Sequence, residues 1–246
     1  MPDPVLVYLV ANARFHDTNF ARLELLKLLA EDDEVRVRVA ESFADVEAVG
    51  ESDVLVTYTC DLRPKPAEEA ALRSFVEGGG RWVALHASNA ILDFHDDGIR
   101  CPREYDSFME TMGSRFISHP PSMPYQVTLS PGAESDPLIA GIESFETTDE
   151  LYLCEYFGEV QPLLETRWTG SFKGGYVENT WPVDEPRLVM YTHPVGAGAV
   201  LYLTLGHCQG KYDMRPLVDI AEPSRGSWDL PVFYELLRRS IKWATG

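Results

Sequence analysis

Apolar positions along the first ninety residues switch between two periods. Val5 to Val10 (VLVYLV) is an unbroken apolar run, the pattern of a strand buried on both faces. Phe20, Leu23, Leu26, Leu28 and Leu29 then recur at helical spacing, with Asp17 or Thr18 placed to cap that helix. Val35, Val37 and Val39 alternate with Arg36 and Arg38, a period of two that predicts a strand nearer a sheet edge. Asp53 to Thr59 predicts a third strand. Pro66 opens a second helix through Ala70, Leu72, Phe75 and Val76, which Gly78, Gly79 and Gly80 end, and Trp82 to Leu85 predicts a fourth strand.

Strand and helix in alternation imply an α/β fold with a mostly parallel central sheet and helices on both faces, because parallel strands need crossover connections. Ligands of such sheets sit beyond the carboxyl ends of the strands, so residues that directly follow strands are the ones to inspect. The second half is less regular. Tyr125–Leu129, Glu150–Tyr156, Leu163–Trp168, Leu188–Thr192 and Ala199–Thr204 read as strands, and Gly196 and Gly198 mark a hairpin turn between the last two. A final helix is expected over about Leu230–Ala244. The loops at 95–104, 169–187 and 208–229 are candidate walls or lids of a pocket. No repeat or linker divides the chain, and 246 residues fit one domain over 1–246.

Composition narrows the function classes. Hydrophobic residues make up 45% and charged residues 24%, as in soluble globular proteins. Acidic residues outnumber basic ones 39 to 21, and a net charge of −18 repels phosphate backbones and anionic lipids, so neither a nucleic-acid nor a membrane partner is expected. The first residues read as a strand and not as a signal peptide, which makes the cytoplasm the expected compartment. Cys60, Cys101, Cys154 and Cys208 include no C-x-x-C pair, and free thiols are the expectation.

Candidate chemistry falls at strand ends. His16 lies in the first strand-to-helix loop, His86 directly follows the fourth strand, His119 stands in Phe116-Ile117-Ser118-His119-Pro120, and His207 follows the last hairpin. Asp149 and Glu150 precede another predicted strand. Imidazole is the commonest ligand of zinc-like metals and its neutral form acts as a base near pH 7. His16, His86, His119 and His207 with a carboxylate would suit a divalent metal, zinc or manganese, although no H-E-x-x-H or i, i+4 pair marks the set. His86, His207, Glu150 and Asp149 are the catalytic candidates, and Asp17, Ser88, Asn89 and Tyr152 the substrate-binding ones. The alternative for each is an ordinary capping, packing or solvent-facing role. His95 and His193 read as surface or pocket-rim residues. Cys60 and Cys208 also follow strands, which leaves a Cys–His nucleophile open beside simple packing. The glycines at 78–80 precede a strand where a phosphate loop would follow one, and no nucleotide cofactor is expected.

These pieces resemble the ThuA-like (trehalose-utilisation) family of the class I glutamine-amidotransferase-like superfamily. The resemblance is carried by His16-Asp17, the stretch from Phe75 to His86 (FVEGGGRWVALH), Phe116 with His119, Asp149-Glu150-Leu151-Tyr152, Gly196 to His207 (GAGAVLYLTLGH) and Ile241-Lys242-Trp243-Ala244. It implies a three-layer, flavodoxin-like domain. His86 stands where amidotransferases of the superfamily carry a cysteine nucleophile, and Cys208-Gln209 follows His207 where Pro-Glu would be expected, so glutamine hydrolysis is not implied. His193-Pro194 departs from the tryptophan such sequences often carry nearby. The family association is with bacterial disaccharide catabolism, beside dehydrogenases that make 3-keto sugars. The resulting expectation is an intracellular enzyme whose partner is a small-molecule carbohydrate, with Tyr152, Trp168, Tyr176 and Trp181 available to stack on sugar faces and a homo-oligomer left open. Two rivals stand beside it: a non-catalytic carbohydrate-binding or regulatory module, and a hydrolase dependent on Cys60 or Cys208.

Overall fold

A computed structural model describes residues 3–246. In chain order the elements are β1 (Val5–Ala13), α1 (Thr18–Leu29), β2 (Val35–Ala40), α2 (Val46–Glu51), β3 (Val54–Cys60), α3 (Pro66–Glu77) and β4 (Arg81–Leu85). There follow β5 (Asp93–His95), β6 (Gly98–Arg100), α4 (Asp106–Met112), β7 (Ser114–Ser118), β8 (Met123–Leu129), β9 (Phe145–Asp149), β10 (Leu153–Tyr156) and β11 (Gln161–Arg167). The chain closes with β12 (Gly170–Ser171), β13 (Thr180–Trp181), β14 (Pro186–Val195), β15 (Gly198–Leu203) and α5 (Pro231–Thr245). No helix among the described residues is long and apolar enough to cross a membrane.

One nine-stranded sheet, in the order β2-β1-β3-β4-β15-β14-β11-β8-β9, organises the molecule. From β2 to β15 every pairing is parallel, and from β15 to β9 every pairing is antiparallel. The expected mostly parallel sheet is therefore a mixed one. Its parallel half comes from the crossover units of the first ninety residues, and the β14–β15 hairpin turns the chain back and starts the antiparallel half.

Side chains of β1 alternate between two apolar clusters. Val7 and Leu9 pack with Leu25 and Leu29 of α1 and with Phe233, Leu236 and Leu237 of α5. Tyr8 and Val10 pack with Val49 of α2, Leu72 and Val76 of α3, and Phe108 and Met112 of α4. The parallel half is thus covered by helices on both faces, which is why its strands read as continuous apolar runs. β2 forms one edge of the sheet, and its Arg36 and Arg38 alternate with the valines as the period of two predicted.

The expected strand Glu150–Tyr156 is split. Asp149 ends β9 in the main sheet, Glu150 to Tyr152 leave it, and β10 pairs with β7 in a separate two-stranded ladder. The break lets Glu150 and Tyr152 turn inward. The loop at 95–104 carries part of the β5–β6 hairpin, the 169–187 loop carries the β12–β13 ladder, and a Gln209–Ser224 bridge ties the 208–229 loop to itself.

Close packing is tightest where β15 begins. A Cβ on Gly198 would overlap the carbonyl oxygens of Val76 and Gly80, backbone atoms fixed by the end of α3 and the start of β4. Gly198→Ala is expected to lower stability by about 3 kcal/mol, the upper range for overpacking a filled site, measured as a fall in the urea midpoint at unchanged slope.

Candidate active site at the carboxyl edge of the sheet

Three loops leave the carboxyl ends of parallel strands with a non-glycine residue at positive φ: Phe15 after β1 (71°), Asp61 after β3 (54°) and His86 after β4 (49°). Such backbone is unfavourable for residues with a Cβ and persists where surrounding bonds over-determine it. At His86 those bonds are visible. The Tyr202 hydroxyl donates to the His86 carbonyl and accepts from the Asn89 amide at 2.9 Å, while Ser88 Oγ donates to the Leu85 carbonyl at 2.8 Å. The 3-10 turn His86–Asn89 is locked, and the His86 ring is fully buried above β4.

Ring orientation decides the chemistry. His16 Nδ1 lies 2.7 Å from the Arg14 carbonyl, His86 Nδ1 lies 2.9 Å from the Thr204 carbonyl, and His119 Nδ1 lies 2.7 Å from the Pro120 carbonyl. A carbonyl oxygen only accepts, so each Nδ1 carries a proton, and in the neutral rings of His16 and His86 the Nε2 presents a lone pair. The Nε2 atoms of His16 and His86 then face each other at 2.9 Å. Neither can donate to the other in the neutral state, and burial keeps both rings neutral. It lowers His16 to about 4, with the nearby His207 adding to the effect, and pushes His86 well below its ordinary value, with His16 as the next cause. Two acceptors this close call for a cation between or beside them.

Glu150 supplies the negative charge. Its carboxylate oxygens lie 3.5 Å from His86 Nε2, 3.5 Å from His119 Nε2 and 3.2 Å from His207 Nδ1. Burial opposes ionisation of Glu150, but the His119 and His207 rings outweigh it and hold the carboxyl well below the usual range. His207 Nδ1 is buried without a hydrogen bond, because its approach to Glu150 is close but misaligned. One atom each of His16, His86, Glu150 and His207 lies within 4.8 Å of all the others. His119 is outside that group and touches it through Glu150. Tyr152 places its hydroxyl 3.2 Å from His86 Nε2.

Beside the cluster is a cavity of about 220 Å³, whose lining includes His16, His119, Glu150, Tyr152, Tyr176 and His207. A larger cleft of about 820 Å³ opens at the other end of β4, beside α5, and contains no histidine.

The ThuA family model, described as trehalose utilisation, matches residues 4–222. The chain belongs to the ThuA family. Its fold is similar to that of a ThuA-like protein from Bacteroides uniformis, at 18% identity and a TM-score of 0.67, over 99% of this chain and 93% of the other. A ThuA-like protein from Parabacteroides merdae is 17% identical with a TM-score of 0.62, over 98% and 90% of the two chains. The chain also matches 30% of a β-galactosidase from Bacillus circulans, at 12% identity and a TM-score of 0.53, over 98% of its own length. No curated protein matches it in sequence.

On this ThuA scaffold several expected site residues hold the pocket together from outside it. Asp149 is fully buried and its carboxylate accepts from the backbone amides of Glu150, Gly206, His207 and Ser227 and from Ser227 Oγ. With both oxygens saturated it is a positioning residue for the segment that carries His207, where an acid–base role was expected. Ser88 and Asn89 face the β3 and β7 side, bonding Thr57 and Ser114, and do not line the cavity. Asp17 caps α1 through Phe20 and pairs with Arg225 at 2.9 Å, anchoring the 208–229 loop. Trp168 and Trp181 lie outside the cavity lining. His193 is buried, its ring nitrogens 2.7 and 3.0 Å from the carbonyls of Glu159 and Glu110, while His95 is exposed.

All four cysteines are free and buried. Burial pushes Cys208 up to about 12 and Cys60 well above its ordinary range, which leaves the protonated thiol, a poor nucleophile. The apolar wall residues Phe15 and Phe94 gave no sign in the sequence, because their spacing suits loops and core equally, while Met214 lies in the 208–229 loop expected to wall a pocket.

Metal-free chain should show two opposed pH limbs. Burial lowers His207, but Glu150 and Asp149 outweigh it and carry the ring up to about 9. The stability it contributes is complete below 6.5 and is lost as pH rises through about 9. His16 contributes stability above 6.5 that is lost as pH falls through about 4. Urea unfolding in chelator is expected to give a maximum between these limbs, and His207→Gln should flatten the alkaline one. Asp149→Ala leaves the Gly206, His207 and Ser227 amides without their acceptor and is expected to lower stability by about 3 kcal/mol, at about 1–3 kcal/mol per orphaned group.

Proposed function

We propose that this ThuA chain is an intracellular carbohydrate-processing enzyme that acts on a keto-sugar or glycoside, with a divalent metal, zinc or manganese, held by His16, His86, Glu150 and His207. The observation that carries the reading is the pair of imidazole lone pairs facing each other at 2.9 Å with a buried carboxylate beside them. The buried, unbonded His207 Nδ1 supports the same donor set. Carbonyl partners on the far nitrogens of His16 and His86 are the arrangement that fixes tautomer and aim in metal-ligating histidines. A net charge of −18 favours the arrival of a cation. Family membership supports a carbohydrate-related role in general. The strand order β2-β1-β3-β4-β15 with helices on both faces supports a flavodoxin-like reading of the parallel half.

A bound divalent ion supplies Lewis-acid polarisation of a keto or hydroxyl oxygen. The chain's own residues supply the rest. His119 lines the cavity with its Nδ1–H held by the Pro120 carbonyl, and in its neutral form its Nε2 would accept a proton from a substrate carbon or hydroxyl. Glu150, 3.5 Å away, stabilises the imidazolium that results. The Tyr152 hydroxyl, 3.2 Å from His86 Nε2, would be released to donate to substrate once that nitrogen holds an ion, and its ring with that of Tyr176 lines the cavity. Isomerisation and elimination would begin with the proton transfer to His119, and hydrolysis would use the same base on a water molecule. Free buried thiols accord with a reducing, cytoplasmic setting.

Protein purified without added metal is expected to carry about one zinc or manganese per chain, as a site of this donor number holds a single ion. His86→Ala and His207→Ala should each lose it while His119→Ala keeps it, as read by elemental analysis. A metal-free wild type that still binds sugar would instead establish the non-catalytic module.

A further inference from the structure

The cavity changes character from floor to mouth. Its floor holds His16, His119, Glu150 and His207 with the Tyr152 hydroxyl, beside Cys60 and Tyr176. Its mouth is built from Phe15, Phe94, Ile99, Met214 and Leu217, drawn from three separate loops. Phe94 is 47% exposed and Leu217 is 64% exposed, so apolar side chains from two loops stand in water on the rim of one pocket. Scattered exposed apolar residues need no explanation, but a set that rings a concave site marks a surface awaiting an apolar group.

Polar partners at that level are already engaged. Gln209 Nε2 donates to the Phe15 carbonyl at 3.3 Å, and the Arg14 guanidinium is held by Asp61 at 2.7 Å while lying over the Phe15 and Phe94 rings. The Phe15 and Phe94 rings meet edge to face with centroids 6.0 Å apart, an arrangement that offers ring edges and faces to a further planar group. A second sugar placed there would give up water hydrogen bonds from its hydroxyls against a rim that is apolar but for Gln209. A planar apolar group would lose nothing and cover the rim.

Resting on the functional reading above, we propose that the substrates are glycosides with an aromatic or otherwise apolar aglycone. The sugar ring sits on the histidine floor, and Phe15, Phe94, Met214 and Leu217 form the aglycone subsite. Specificity then lies in the 208–229 and β5–β6 loops and not in the ligating residues. The proposal accounts for the apolar mouth, which a disaccharide substrate leaves without a role.

Metal-loaded protein should be titrated calorimetrically with methyl and phenyl 3-keto-glucosides of both anomers, with metal content measured on the same samples. The phenyl compound is expected to bind about tenfold or more tightly than the methyl compound, in keeping with burial of one aromatic ring. Leu217→Ser and Phe94→Ser are both surface changes that leave the core intact, and each should bring the ratio down with metal content unaltered. Equal affinities for the two compounds with metal bound would overturn the aglycone subsite and leave the carbohydrate reading standing. Binding of neither compound by metal-loaded protein would overturn both. Tighter binding of phenyl compound that persists in Leu217→Ser and Phe94→Ser would place the apolar subsite elsewhere and sink this assignment.

Discussion

The Nε2 atoms of His16 and His86 face each other at 2.9 Å because a backbone carbonyl claims the opposite nitrogen of each ring. That constraint organises the site. Protonating either ring would relieve the contact, yet both are buried too deeply to charge readily, and burial is the largest cause of their lowered values. Glu150 can stay ionised in the same place only because positive charge is at hand, and His207 keeps its proton for the same reason. The cluster is thus balanced between imidazole, imidazolium and carboxylate, a state that a cation would complete.

Holding such a contact requires a rigid frame. Tyr202 and Ser88 fix the turn that puts His86 at positive φ, and Asp149 gathers the amides of residues 206, 207 and 227 under the site. None of these three groups faces the cavity, yet each sets the position of a histidine of the cluster. Their burial explains why residues near the site carry polar side chains that no ligand reaches: every one is spent on the backbone.

The two halves of the sheet divide the labour. Parallel strands β1, β4 and β15 end on one edge and deliver His16, His86 and His207 there. The antiparallel half delivers Glu150 at the end of β9, and the separate β7–β10 ladder delivers His119 and Tyr152. A purely parallel sheet with the same histidines would lack the carboxylate. The departure of residues 150–152 from β9 is what brings it in.

Much of this was legible in the residues. Continuous apolar runs, capping residues and the glycines after α3 specified the crossover units of the first half, since local period and turn chemistry act within a few residues. The carboxyl-edge rule then pointed to His16, His86 and His207. Which carboxylate joins them was not legible, because Asp149 and Glu150 are neighbours and only the end of β9 sends one into the frame and the other into the cavity. The same holds for His119, one carboxylate removed from the group it was expected to join, and for Ser88, Asn89 and Asp17, whose partners lie far along the chain. Local sequence determined the elements and the edge where they present chemistry. Tertiary structure alone decided the His86 tautomer, the ligating carboxylate and the apolar mouth, because these depend on contacts between segments far apart in the chain, as between His86 and the Thr204 carbonyl.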